Sequence, residues 1–405
     1  MSLVYFCEPE TDQRVHALII GVSEYPHLEG GGAPAVADVT GGMRQLQSPA
    51  KSARALSDWF IGGYRHTHAE LATVDLLLSD ANSTEYTAPR TPTGAAPQAR
   101  HIDYASRQNI VDSAIAWKDR ARADANDLLV FYFCGHGLSN GFQFGLLARD
   151  FGKVANRPWD GGFSFDRFLA RMEKTAAARQ LFFVDACRVG AEQILDPQTQ
   201  PDDLIGRSFP LYEGRKQAVY YSAQPGEASY GKRGECTLFT AALIQALDGG
   251  AADDSLTEDW KTDTNSLNRA ISAILEFGPE LNGEPPQSPQ VLLSPFELMR
   301  YEEAPIVPLY VTTAWHEGDD PPDEVQRIEI CREAMMSHGG RAIVDWSNPW
   351  AAVQVCGWHA PSRFGSRLTA GDRYSLRVTF GTGERVEMKL KALRPPFGNR
   401  AIEYV

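Results

Sequence analysis

The chain lacks a long apolar run. In 405 residues its longest uninterrupted hydrophobic stretch is Leu128–Cys134, far short of the ~20 residues a membrane helix needs. Met1–Asp12 has no basic region followed by an apolar one, so no secretory signal and no membrane partner are expected, and a cytoplasmic protein is. Cysteine is sparse: Cys7, Cys134, Cys187, Cys236, Cys331 and Cys356 are scattered, and none forms a C-x-x-C pair. That argues against a disulfide framework and against structural zinc. The nine histidines also lack metal spacing; His66-x-His68 reads as a wet loop, and no metal is expected. Positive charge is in deficit, with 39 Lys and Arg against 52 Asp and Glu, a net −13. Repulsion from phosphate therefore disfavours nucleic acid and anionic membrane as partners of the whole chain. There is no internal repeat, no heptad pattern, and no G-x-S-x-G elbow for a serine hydrolase.

What is present is an ordinary globular balance, 43% hydrophobic and 22% charged, with length for two or three domains at about 150 residues each. The charge deficit is uneven. Residues 1–305 carry 27 basic and 40 acidic side chains, residues 306–405 carry 12 of each, and 341–405 hold ten basic against five acidic. That end is either an interaction face or a solvated β surface.

Compact apolar runs predict buried strands at Val15–Val22, Val74–Leu78, Asp127–Cys134, Gln180–Ala186 and Gln217–Ser222. Between and after them, apolar spacing predicts helices at Pro49–Phe60, Arg107–Ala123 (opened by Ser106), Phe165–Lys174, Cys236–Leu247 and Ser266–Phe277. Residues 81–105 read as a surface insertion. Strands alternating with helices indicate an α/β fold, a predominantly parallel sheet with helices on both faces. After the Pro-rich breaks at 284–289 and 304–308 the period becomes two: Tyr374, Leu376, Val378 and Phe380, then Val386, Met388 and Leu390, joined by Gly381-Thr-Gly383, a hairpin signal. A small, mostly β domain is expected at 306–405, after a larger one at 1–305.

In such a sheet, functional groups gather at the carboxyl ends of the strands. His136 follows one strand between two glycines, and Cys187 follows another. A thiolate nucleophile and an imidazole that shuttles its proton are the two groups a cysteine protease needs, and glycines beside the histidine let a peptide backbone come close. His136 precedes Cys187 by 51 residues, against about 50 in caspases.

The motifs Ala17-Leu-Ile-Ile-Gly-Val-Ser-Glu-Tyr25, Phe131-Tyr-Phe-Cys-Gly-His-Gly137, Phe183-Val-Asp-Ala-Cys-Arg-Val-Gly190, Tyr221-Ser-Ala-Gln-Pro-Gly-Glu-Ala-Ser-Tyr230 and Leu238-Phe-Thr-Ala-Ala-Leu243 together resemble the caspase-like clan of cysteine proteases, in its bacterial caspase or metacaspase branch. The resemblance covers roughly residues 14–300. It implies a large-subunit-like part at about 14–190, a linker at 191–216 and a small-subunit-like part at 217–305. It also implies a His136/Cys187 dyad and an oxyanion hole from the backbone N–H groups of Gly137 and Cys187.

The departures concern specificity. The glutamine that animal caspases carry two residues before the nucleophile is Asp185 here, and the arginine of their pocket falls at Gly231. A negative pocket is expected, lined by Asp185, Ser222 and Glu227, with cleavage after Arg and, secondarily, Lys. Asp185 has a structural alternative, capping a nearby backbone, and Glu227 an alternative as an exposed loop carboxylate. Cys134, in the place of the family's usual serine, reads as a buried strand residue rather than a second nucleophile. No cofactor is expected; calcium, which some metacaspases need, stays open, because Asp248–Asp263 has no ligand spacing. Arg207 and Arg215 in the linker are candidate processing sites for activation of a zymogen, by the enzyme itself or by an upstream protease or sensor. The expected partners are protein substrates, and the resemblance implies a role in antiviral defence or programmed cell death. The reading from another class is a catalytically silent scaffold that binds partners through residues 306–405.

Overall fold

The computed structural model describes residues 2–34, 42–80, 85–88, 99–121, 126–139, 143–154, 157–188, 201, 203–206, 215–224, 226, 234–254, 259–277, 287–314, 325–332, 351–353, 363–390 and 393–403. They form two compact units, one of residues 1–245 with 263–300 and one of 246–262 with 301–405. Residues 246–262, placed by sequence in the first domain, cluster with the second unit.

The first unit is built from β1 (Leu3–Phe6), β2 (Gln13–Val22), α1 (Pro49–Gly63), β3 (Ala69–Ser79), α2 (Arg107–Arg120), β4 (Leu128–Gly135), β5 (Gly137–Ser139), β6 (Phe144–Leu147), β7 (Gly162–Ser164), α3 (Phe165–Met172), β8 (Arg179–Ala186), β9 (Lys216–Tyr221), α4 (Leu238–Gln245), α5 (Thr264–Phe277) and β10 (Gln290–Leu293). The central sheet runs β1-β3-β2-β4-β8-β9-β10. Its five inner strands are parallel, and the two edge strands, β1 and β10, are antiparallel. The five apolar runs are the five inner strands. β1 and β10 are four residues each and only partly buried, and neither is predicted from the sequence, although Leu3–Phe6 is apolar throughout.

Alternation along the strands divides the side chains between two helical layers. Leu18, Phe131, Phe133, Phe182 and Val184 share a core with Ile110, Ala114 and Trp117 of α2 and Phe165 and Phe168 of α3. Phe131 sits at its centre, 5.0 Å from Phe168 and 6.1 Å from Phe182 between ring centroids. Truncating such a ring to alanine costs about 3–5 kcal/mol. On the opposite face Tyr132 shares a hydrogen bond with Thr240 of α4 at 2.7 Å, and Tyr220 donates to the Thr264 carbonyl at the start of α5 at 2.5 Å. Gly21 lies under α1: a Cβ there would stand 2.6 Å from the Pro49 carbonyl oxygen and 2.7 Å from the Ala53 Cβ.

The starts of α2 and α3 follow their capping chemistry. Ser106 and Ser164 accept from the N–H groups of Asn109 and Arg167, satisfying donors that the first turn leaves open.

The second unit has a three-stranded sheet, Arg363–Thr369, Ile306–Ala314 and Gly398–Glu403, and a four-stranded one, Ala351–Val353, Val325–Arg332, Tyr374–Phe380 and Arg385–Leu390. Tyr374, Leu376, Val378 and Phe380 are all buried, in a core with Leu309, Val311, Ile328 and Ile330. The hairpin turn has Gly383 at φ +85°, a conformation glycine adopts without strain. No helix among the described residues is long and apolar enough to cross a membrane.

Candidate active site

β4 and β8 are parallel neighbours, with Asp185 opposite Cys134 and Ala186 opposite Gly135. One residue further along each strand come His136 and Cys187, both at the carboxyl edge of the sheet. The backbones there are closely fitted. A Cβ on Gly137 would lie 2.7 Å from the carbonyl oxygen of Cys187 and 2.8 Å from the Phe144 ring, so this crossing requires glycine.

His136 is held from three sides. Its backbone N–H donates to the Tyr25 hydroxyl at 2.7 Å, and that hydroxyl donates to the Leu147 carbonyl at 3.3 Å. The Tyr25 ring leans on the imidazole with centroids 4.8 Å apart at 47°. The Nε2 of His136 lies 2.7 Å from the carbonyl oxygen of Arg44. A carbonyl only accepts, so Nε2 carries the proton and Nδ1 is left with the lone pair of a base. Burial pushes the imidazole below the usual histidine range, and the Arg44 carbonyl, which favours the charged form, opposes this only in part. The ring is therefore a neutral base at neutral pH.

Gly137 begins β5, opposite Leu146. The N–H of Leu147 donates to the His136 carbonyl at 3.1 Å, which makes Gly137 and Leu146 a non-hydrogen-bonded pair of the ladder. The Gly137 N–H consequently turns away from β6.

Cys187 is a half-buried thiol outside any disulfide. The next residue is anchored: the Arg188 guanidinium lies 4.5 Å from the Tyr221 ring centre and 5.2 Å from that of Phe144, bonds the Gln290 side chain, and is attracted by Asp166. Asp166 in turn accepts the Phe144 N–H at 2.6 Å. Phe144 thus links the strand after the histidine to the residue after the cysteine.

Asp185 is 2% exposed and faces α4. Its carboxylate accepts from the hydroxyl of Thr237 and from that of Thr240 at 2.7 Å. The expected structural alternative was a backbone cap, whereas these donors are side-chain hydroxyls on the segment that opens α4. Ser222 is fully buried. Its N–H donates to the Val184 carbonyl at 2.9 Å and its carbonyl accepts from Gln287 at 2.7 Å, while its Oγ has no hydrogen-bond partner among the described residues. Cys134 is a buried thiol whose pKa burial raises well above the ordinary value, an inert state for a nucleophile. Glu227 and Arg207 lie outside the described residues. Arg215 is half-buried directly before β9, whose first N–H, that of Lys216, donates to the Ala178 carbonyl at 2.8 Å.

The wet-loop reading of His66 is corrected. Its side chain is 4% exposed, with Nε2 3.7 Å from the Glu297 carboxylate and Nδ1 accepting the His68 N–H at 3.0 Å. Burial brings its pKa down to about 4, so the 3.7 Å approach to Glu297 joins a carboxylate to a neutral ring. Among the described residues no three His, Cys, Asp or Glu side chains are grouped to hold a metal.

Tyr25, Arg44, Arg188, Thr237 and Thr240 were not singled out from sequence. Tyr25, Arg188 and Thr240 lie inside motifs quoted for the resemblance, which is the signal that could have found them. Arg44 contributes a backbone carbonyl, a group every residue has.

Two relatives give context. The chain is 27% identical over 240 residues, 55% of its length and 67% of the other's, to an uncharacterized protein of Sinorhizobium fredii, y4kE. Caspase-1 from Spodoptera frugiperda superposes on 71% of this chain and 92% of its own, with 14% identity and a TM-score of 0.40, a likeness too slight to carry an argument. The sequence profile of the caspase domain, peptidase C14, matches residues 14–291, the span that contains the sheet and both strand ends described above. The chain belongs to the caspase domain family, the cysteine peptidases whose fold is this mostly parallel sheet between layers of helices.

Proposed function

We propose that the protein is a cysteine endopeptidase that uses Cys187 and His136 and cleaves after arginine and, secondarily, lysine. The observation that supports this is the register of β4 and β8, after whose last paired residues His136 and Cys187 follow at the same edge of the sheet, with the imidazole Nε2 on the Arg44 carbonyl and its Nδ1 left as the basic nitrogen. The thiol of Cys187 passes its proton to Nδ1, and the thiolate adds to the substrate carbonyl. The oxyanion accepts from the N–H groups of Gly137 and Cys187. The tetrahedral species then collapses, the C–N bond breaks, and the imidazolium protonates the departing amine. Water, deprotonated by the neutral imidazole, opens the thioester and restores the thiol. Backbone donors cost no reorganisation, because the Gly137 N–H is already directed away from its own ladder.

The preference for a basic residue rests on Asp185. A carboxylate buried among hydroxyls behind the nucleophile attracts a guanidinium and repels an anion, each by about 4 kcal/mol at ~4 Å with an effective dielectric near 20. The unpartnered hydroxyl of Ser222 suits a pocket wall that a donor from the substrate completes, and Glu227 is the second candidate acid. The enzyme is further proposed to be a zymogen activated by cleavage in 191–216. Arg207 is the better of the two sites, because cutting after Arg215 would require releasing the first residue of β9. Antiviral defence or programmed cell death as the setting, and a cytoplasmic location, follow from the resemblance and the sequence alone.

The test is hydrolysis of a fluorogenic peptide with Arg at the scissile position by the native chain, before and after linker cleavage, beside Cys187→Ala and His136→Ala. Turnover by the native chain alone is expected. Silence of the native chain in both states would favour a scaffold.

A further inference from the structure

Resting on that reading, we propose that Gln45 is a positioning residue for the proton-transfer histidine: its side-chain amide fastens Tyr25, which supports His136 from behind, to the segment whose carbonyl fixes the imidazole in front. The amide is used fully. Its Oε1 accepts the Tyr25 N–H at 2.7 Å, and its Nε2 donates to the Tyr25 carbonyl at 2.8 Å and to the Glu29 carbonyl at 3.2 Å. One half-buried side chain thus engages both backbone groups of Tyr25 and reaches the turn four residues on.

Both ends of this clamp touch His136. Tyr25 is fully buried; its hydroxyl receives the His136 N–H and its ring lies against the imidazole. Residue 44, adjacent to Gln45, presents its carbonyl to Nε2. Further ties to the 44–46 segment are the bridge of Arg44 with Glu29 and the Leu46 N–H on the Ser23 carbonyl at 2.8 Å. The Arg44–Glu29 ion pair is mostly exposed, with side chains 74% and 57% accessible, so it contributes little. The amide gives the segment its partly shielded, directional attachment to Tyr25. Without it the Arg44 carbonyl can drift, and a hydrogen bond that drifts by ~1 Å no longer selects one imidazole tautomer.

The experiment measures the tautomer and the kinetics together. In protein carrying ¹⁵N-histidine, with the His136 signals identified by their loss in His136→Gln, the wild type should give the Nε2–H pattern at neutral pH. Gln45→Ala should give a mixture of both tautomers. With the Arg-peptide, Gln45→Ala should lower kcat about 10- to 100-fold and leave KM within twofold. It should also move the acid limb of kcat/KM to lower pH, because the lost carbonyl bond favoured the charged ring. Gln45→Glu, which presents a carboxylate to two carbonyls, should behave like the alanine variant at neutral pH. If Gln45→Ala does not fold, Gln45→Glu carries the same two readouts. A wild-type Nε2–H pattern retained in both variants with kcat within twofold would overturn the clamp while Cys187-dependent turnover left the peptidase reading standing. If the wild type has no turnover, the tautomer measurement alone decides the clamp, and the peptidase reading fails separately.

Discussion

The Nε2 of His136 stands 2.7 Å from the carbonyl oxygen of Arg44, and this contact determines which imidazole nitrogen can act as base. Because burial lowers the pKa of the ring from its ordinary 6.5, the base form persists below that pH. The acid limb of kcat/KM is therefore expected below pH 6.5, with activity on its plateau at neutral pH. Unfolded His136 binds its proton more tightly than the folded ring, so this group also reduces stability as pH falls below 6.5. A pH–rate profile from 4 to 8 checks the first statement, and an acid limb centred above 6.5 contradicts it.

Asp185→Asn removes the charge and keeps the shape. Hydrogen bonds to a charged acceptor are worth about 1.5–3 kcal/mol, so a modest fall in melting temperature is expected. The larger effect should be on selectivity: kcat/KM for an Arg peptide should fall at least 100-fold, and the margin over an uncharged analogue should collapse. Peptide kinetics on the purified variant decide this. An unchanged Arg preference would leave Asp185 with its hydroxyl contacts alone.

Gly137→Ala introduces a methyl group 2.7 Å from the Cys187 carbonyl oxygen, a backbone atom that cannot rotate away. Overpacking of this kind costs about 1–3 kcal/mol, and a displacement of ~1 Å near the reacting atoms costs about 100-fold in rate. The variant should fold, melt somewhat lower, and lose most of its kcat. Full activity with an unchanged melting curve would show that the two segments separate freely.

The sheet was legible because its five inner strands are continuous apolar runs, a pattern that survives without knowledge of tertiary contacts. β1 and β10 were not, since four-residue runs are too short for periodicity to separate a strand from a loop; as edge strands they also leave Phe6 and Leu292 exposed. The positions of His136 and Cys187, directly after two strands and with glycines beside the histidine, were legible in the sequence. Their support was not: the Arg44 carbonyl, the Gln45 amide and the hydroxyls of Thr237 and Thr240 reach the site through folding, from α1's approach and α4's first turn. His66 shows the same limit in reverse. A polar, closely spaced histidine pair reads as loop, yet the side chain packs inward beside Glu297.

That inward packing makes its own prediction. Unfolded His66 protonates near 6.5 and the folded ring only at about 4. The unfolded state binds the extra proton between those values, so stability should drop by about 1–3 kcal/mol as pH falls through that window. His66→Gln should flatten the dependence in denaturant melts at pH 4, 5, 6 and 7. An equal slope in both proteins contradicts a neutral, buried His66.

The most direct measurement of the central claim is covalent trapping with an irreversible peptidyl-arginine electrophile, followed by intact mass and peptide mapping. One adduct per chain on Cys187 is expected, formed much more slowly in His136→Ala and hardly at all with the matching peptidyl-aspartate reagent. An adduct on another cysteine, or equal labelling of Cys187 with and without the imidazole, would contradict a thiol and a histidine working as one unit.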